Sequence, residues 1–189
     1  MKQLILFCFV AIGFSLWGQT SEKVNPEFVY ELPFKSGKTR LVTQGYMGKY
    51  SHEGEHALDF RMRKGESIYA SRGGVVTNLF EDSYRTLLDK SNAYHANFLV
   101  IEHDDGSYSK YMHMDYKGIL VEKGDTISTG QLIAVTGNTG NSTMAHLHFV
   151  CYNIDENGEA MTFPTVFSTK KGLAALKPWH FYRKPKSRE

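Results

Sequence analysis

Ala145-His146-Leu147-His148-Phe149-Val150 alternates imidazoles with large apolar side chains. In a β-strand successive side chains point to opposite faces. The two histidines therefore project together, while Leu147 and Phe149 project the other way. Such a strand has one face for a core and another for something polar. Adjacent imidazoles fill a core badly, because each ring carries nitrogens that need partners. They are a direct way to build a metal or proton-transfer site.

Working outward, two upstream segments carry the same chemistry. In Ser51-His52-Glu53-Gly54-Glu55-His56-Ala57-Leu58-Asp59-Phe60, a strand-like run places Asp59 between Leu58 and Phe60. A carboxylate there is expensive to bury unless it is paired, hydrogen-bonded or on a metal. In Lys110-Tyr111-Met112-His113-Met114, His113 lies among apolar neighbours. Asp105-Gly106 separates this run from Phe98–His103, which reads as a β-hairpin. Parity along the hairpin predicts Tyr111 and His113 on one face. His103, in Glu102-His103-Asp104-Asp105, is expected to be exposed. Three protein ligands of His/Asp/His type would hold Zn²⁺ and leave a fourth position for water. The remaining histidines would be free to move protons.

Short β-rich runs recur along the chain: 40–42, 57–62, 74–79, 97–103, 108–114, 131–136 and 147–152, many separated by Gly-containing turns. That spacing predicts a mostly-β fold, a single compact antiparallel domain. With 41% hydrophobic residues, including 12 Phe and 11 Tyr, the chain has enough material for a sizeable core. The formal charge of +2 carries no nucleic-acid signal. Met1-Lys2-Gln3 followed by the apolar run Leu4–Leu16 and Gly18-Gln19-Thr20 reads as a secretory signal peptide, too short for a comfortable spanning helix. Its cleavage would leave Cys151 as the one cysteine. Parity places Cys151 with Leu147 and Phe149, as a small buried hydrophobe rather than a metal ligand.

From about Val42 to Asn153 the chain resembles the lysostaphin-type (LytM-like) zinc endopeptidases of peptidoglycan. The elements occur in that family's order. His52-Glu53-Gly54 with Ala57-Leu58-Asp59-Phe60 resembles its H-x-G element ending in Asp-Phe. Gly65-Glu66-Ser67-Ile68-Tyr69-Ala70 to Gly73-Gly74-Val75-Val76 is similar to its G-T-P-V-Y-A-A-x-x-G-x-V. Tyr111-Met112-His113-Met114 is similar to Y-x-H-L, and Lys123–Ala134 to K-G-x-x-V-x-x-G-Q-x-I-G. Gly137-Asn138-Thr139-Gly140-Asn141-Ser142-Thr143 and His146-Leu147-His148-Phe149 complete the pattern.

The resemblance implies an antiparallel β domain of the lysostaphin/LytM type, with a zinc site in a groove and peptidoglycan peptides as substrate. It implies His52, Asp59 and His148 as zinc ligands and His113 and His146 as proton-transfer residues, without saying which of the two is the base. There are two departures. The common form has His four residues before Asp, where this chain has Glu55; and Met144-Ala145 stands where Gly-Pro is frequent. His56, three residues from Asp59, would face away from it in a regular strand, so parity favours His52 over His56 as first ligand.

The expected organisation is a signal peptide (1–18), an N-terminal lead-in (19–41), the peptidase-like domain (42–155) and a C-terminal extension packing on it, with a basic tail (156–189). The chain would be secreted or periplasmic. The polar segment 81–94 reads as a short helix or a loop beside the groove. The rival reading is a non-enzymatic wall protein that binds or activates a partner hydrolase.

Overall fold

The computed structural model describes residues 29–86 and 95–186. The expected signal peptide, residues 19–28 of the lead-in, residues 87–94 of the polar segment and the last three residues lie outside them. Fifteen strands and no α-helix occur among the described residues. In chain order they are β1 (Val29–Glu31), β2 (Thr39–Gln44), β3 (Ala57–Arg61), β4 (Ser67–Tyr69), β5 (Gly74–Phe80), β6 (Phe98–Glu102), β7 (Tyr108–Met112), β8 (Met114–Ile119), β9 (Thr126–Ile127), β10 (Leu132–Thr136), β11 (His146–Ile154), β12 (Ala160–Thr162), β13 (Val166–Thr169), β14 (Gly172–Ala175) and β15 (His180–Arg183).

The main sheet runs β15-β2-β3-β11-β7-β6-β5-β9, with β12 also paired to β11. Two three-stranded sheets, β4-β10-β8 and β1-β13-β14, accompany it. All strand pairings are antiparallel except β1 with β13. The hairpin read from Asp105-Gly106 joins β6 to β7, and Gly106 takes the left-handed φ of 80° that its turn needs. Near the C-terminus, β15 adds an edge strand to β2, with His180 exposed.

One apolar cluster joins the three sheets. Leu58 and Phe60 of β3, Leu147, Phe149 and Cys151 of β11, Leu99 and Ile101 of β6 and Tyr111 of β7 supply it from the main sheet. Ile68, Ile133 and Met114 join from one small sheet, and Tyr30 and Phe167 from the other. Phe149 meets Tyr30 edge-on at 6.3 Å between ring centroids and Phe167 at 5.8 Å. Aromatic pairs in these arrangements add to the area they bury. The alternating residues of β3, β11 and β7 are thereby left on the opposite face of the main sheet.

Two expectations are corrected. Tyr111 and His113 do not share a face. Tyr111 lies in the core, opposite Phe149, whereas His113 has φ of 66° and separates β7 from β8. The left-handed residue breaks the two-residue period and turns the imidazole onto the other face. His103 is buried, at 4% exposure, with its Nδ1–H donating to the Gly73 carbonyl at 2.7 Å. Parity with Leu99 and Ile101 puts it on the core face, and the polarity of its neighbours misled: Asp105 turns outward to Arg72 at 2.9 Å.

Candidate metal centre

Asp59 and His148 are directly opposed in the β3–β11 ladder. Leu58 and Phe60 are drawn into the core, as are Leu147 and Phe149, so the polar residues between them must point to the other face. There Asp59 Oδ1 lies 3.1 Å from His148 Nδ1. A third donor comes from outside the ladder. His52, fully buried in the turn before β3, places Nε2 3.2 Å from Asp59 Oδ1 and 3.2 Å from His148 Nδ1. Three nitrogen and oxygen atoms thus form a triangle whose edges are those of the expected trio.

The turn carrying His52 is locally closed. Its backbone N–H donates to Gly48 O at 3.0 Å, its carbonyl accepts from Glu55 N at 3.0 Å, and Glu55 O accepts from Met47 N at 2.9 Å. His52 Nδ1–H donates to the Gly45 carbonyl at 3.0 Å, which leaves Nε2 as a lone-pair donor toward the triangle. His56 is tied elsewhere. Its backbone N–H donates to Thr162 Oγ1 at 3.0 Å and its Nδ1 to Thr162 O at 3.1 Å, and its ring packs on Tyr46. Asp59, His52 and His148 therefore come together, and His56 stays out.

His113 and His146 border the trio. Their ring centroids are 4.6 Å apart, and His113 is 5.9 Å from His148. His146 Nε2 lies 3.5 Å from Asp59 Oδ1. Each histidine is fixed by a carbonyl of the same Gly-rich turn: His113 Nδ1–H donates to Thr139 O at 2.7 Å, and His146 Nδ1–H to Met144 O at 2.8 Å. A carbonyl only accepts, so both rings keep Nε2 as the basic nitrogen. Gly137 lets this turn approach the kink. A Cβ there would sit 2.5 Å from Asp115 Cα, and its N–H donates to His113 O at 2.9 Å.

The charges follow from burial and pairing. Burial alone would raise Asp59, but hydrogen bonds from His148 and His52 outweigh it and hold the carboxyl well below its usual range. Burial alone would lower His148, but hydrogen bonds to Asp59 and Glu55 push it up to about 9. Burial, then the neighbouring charges of His146 and His148, push His113 down to about 3. Burial also lowers His146. His113 and His146 are thus kept neutral beside the charge-paired Asp59 and His148. The donor set suits a divalent cation: one buried carboxylate and two imidazoles, with the other nitrogen of His52 already spent on a backbone carbonyl.

Several supporting residues have no signal in the sequence. Gln44 donates from Nε2 to Asp59 Oδ2 at 3.2 Å and to Ser51 Oγ at 2.7 Å, tying the His52 turn to the ladder. A register shift in β2 between Val42 and Gln44 brings it there. Glu55 Oε1 lies 3.7 Å from His148 Nε2, on the far side of the ring from the triangle. Ser142 Oγ, 2.7 Å from Asn138 Oδ1, also lies 3.2 Å from His146 Nδ1. Asn97, fully buried, accepts from Ser83 N at 2.9 Å and donates to Ser83 O at 2.8 Å and Asp115 O at 3.0 Å. Its backbone N–H donates to Thr139 Oγ1 at 3.0 Å.

A profile described as peptidase family M23 matches residues 51–162, which include all five of these histidines and Asp59. The chain is 36% identical over 94 residues to peptidoglycan DD-endopeptidase ShyA of Vibrio cholerae, covering 50% of this chain and 19% of that protein. It is 33% identical over 116 residues to peptidoglycan DD-endopeptidase ShyB of the same organism, covering 58% and 24%. The chain thus spans at most about a quarter of the length of these curated relatives. Among solved structures, a zinc-containing peptidase from Vibrio cholerae superposes with a TM-score of 0.52 at 26% identity, over 71% of this chain and 39% of that one.

Proposed function

Because this chain belongs to peptidase family M23, we propose that it is a secreted, zinc-dependent endopeptidase hydrolysing amide bonds in the stem or cross-bridge peptides of peptidoglycan. The observation that carries this reading is the triangle of His52 Nε2, Asp59 Oδ1 and His148 Nδ1, with edges of 3.1–3.2 Å. Tetrahedral ligands at a Zn–N distance of about 2.0–2.1 Å stand roughly 3.3 Å apart. The three side chains would hold the ion with little movement, and a fourth position would stay open. The names of ShyA and ShyB support the substrate class. Export rests on the N-terminal apolar run Leu4–Leu16.

When bound, zinc supplies Lewis-acid polarisation of the scissile carbonyl and acidifies water toward neutral pH. The chain's own residues do the rest. His113 and His146, kept neutral by burial, offer Nε2 for proton transfer. One takes a proton from the attacking water, and the other stabilises the developing oxyanion or protonates the leaving amine. Both are held by carbonyls of one turn, so their mutual position is set before substrate arrives.

The test combines metal analysis with digestion of purified peptidoglycan. The expected result is about one zinc per chain, and soluble peptide fragments that disappear on chelation and return with zinc. Protein that takes up no zinc sinks the reading. Zinc without hydrolysis favours the non-enzymatic wall protein.

A further inference from the structure

The face of the main sheet that carries the triangle also carries two cations. Arg61 follows Asp59 by two residues on β3, so the two side chains share a face; Arg61 is exposed and sits opposite His146. Lys110 lies on β7 opposite Val150, two residues beyond His148, on the same side of the sheet. Its β7 neighbours Ser109 and Tyr111 are buried on the core side. The two cations thus bracket His148 diagonally, one from each strand beside β11.

Neither makes an ion pair with a carboxylate. Arg40, Lys64, Arg72, Lys117 and Lys184 all have a carboxylate within 4 Å. Among the described residues, Arg61 and Lys110 have none within that distance. Arg61 donates a hydrogen bond to the Met144 sulfur. Lys110 Nζ sits 4.9 Å from the centre of the Phe98 ring, and Glu55 acts on it only through space. A half-buried ammonium that makes no ion pair gains from an anion that reaches it.

The spacing suits an extended peptide. Four residues along β11 and one strand on either side put the two Cα atoms on the order of 16 Å apart, at about 3.3 Å per residue and 4.8 Å per strand. An extended chain covers that distance in roughly five residues, with its middle over the triangle. We infer that Arg61 and Lys110 are specificity residues that bind carboxylates on either side of the scissile bond, so that the site takes an acidic peptide rather than a neutral bridge. This rests on the endopeptidase reading above and adds to it the charge of the substrate.

Two synthetic cross-linked peptide dimers test it, identical except that carboxylates flanking the scissile bond are free in one and carboxamides in the other. Wild type should cleave the free-acid form with at least about tenfold higher kcat/KM, since one charge-assisted hydrogen bond is worth that much. Arg61→Gln and Lys110→Gln should each lose about tenfold on the acid form, leave the amide form nearly unchanged and retain zinc. Arg61→Lys should recover part of the loss. Equal rates on the two dimers in wild type, or equal losses on both in the variants, overturn the inference. Calorimetric binding of both dimers to zinc-loaded His113→Ala protein separates this from the parent reading. Preferential binding of the acid form with no cleavage by wild type sinks the hydrolase and keeps the charge pairing. Cleavage without preference does the reverse.

Discussion

Asp59 and His148 reach the candidate centre from the middle of paired strands, whereas His52 and His113 reach it from a turn and a kink. In the first region, two-residue periodicity and a shared ladder position bring the donor atoms to 3.1 Å. In the second, the backbone departs from regularity: His113 has φ of 66°, and His52 is held by hydrogen bonds within its own turn. The ladder pair is braced by a core on its other face. The irregular pair depends on particular hydrogen bonds, Gly45 O for His52 and Thr139 O for His113. A regular element positions chemistry through its repeat, and an irregular one through contacts that must each be made.

The largest expected effect falls on the triangle, where the two regions meet. His148→Ala and His52→Ala should both lose zinc and hydrolysis, since each removes one of three proposed ligands, while His56→Ala should keep both. Metal content of the three purified variants decides it. Zinc retained in His52→Ala would dissolve the comparison by showing that the ladder alone holds the ion.

Next come the proposed proton-transfer residues. His113→Ala and His146→Ala should keep zinc and fold, with kcat reduced by roughly 10²–10⁴. Loss of metal from the His146 variant would exchange the roles of the two histidines on β11.

A smaller effect is expected where the kink is anchored. Asn97→Ala leaves Ser83 N–H and the Asp115 carbonyl without their partners, a destabilisation of about 2–3 kcal/mol. Urea unfolding measures it. Stability unchanged within error would mean that the kink does not depend on Asn97.

The smallest effect concerns Glu55. Its carboxylate faces the ring nitrogen of His148 turned away from the triangle, the arrangement by which outer carboxylates orient metal-binding histidines. At 3.7 Å the pair is loose, so Glu55→Gln should weaken zinc binding by only about tenfold, read by chelator competition. An unchanged affinity would remove Glu55 from the centre.

Much of this architecture was legible in the residues. Alternation in Leu58-Asp59-Phe60 and His146-Leu147-His148-Phe149 is enough to separate a core face from a site face, and Asp105-Gly106 is enough to predict the β6–β7 hairpin. The same rule failed at His113, because one left-handed residue breaks the alternation there. It would have placed Gln44 with Val42, had the shift in β2 not moved it to Asp59. His103 failed in the opposite way: parity was right, and the acidic neighbours suggested an exposure that the strand does not allow.

By itself the sequence determined the β class of the chain, the opposite facing of imidazoles and apolar side chains on β11, and the set of residues able to hold a cation, because these follow from a period of two and from side-chain chemistry. Only the tertiary structure decided that His52 closes the triangle while His56 turns to Thr162, that His113 leaves the core face, and that Gln44 and Glu55 stand behind Asp59 and His148. Those outcomes depend on where distant carbonyls, bulges and turns come to rest, and no local pattern records the meeting of residues some hundred positions apart, as Thr162 and His56 are.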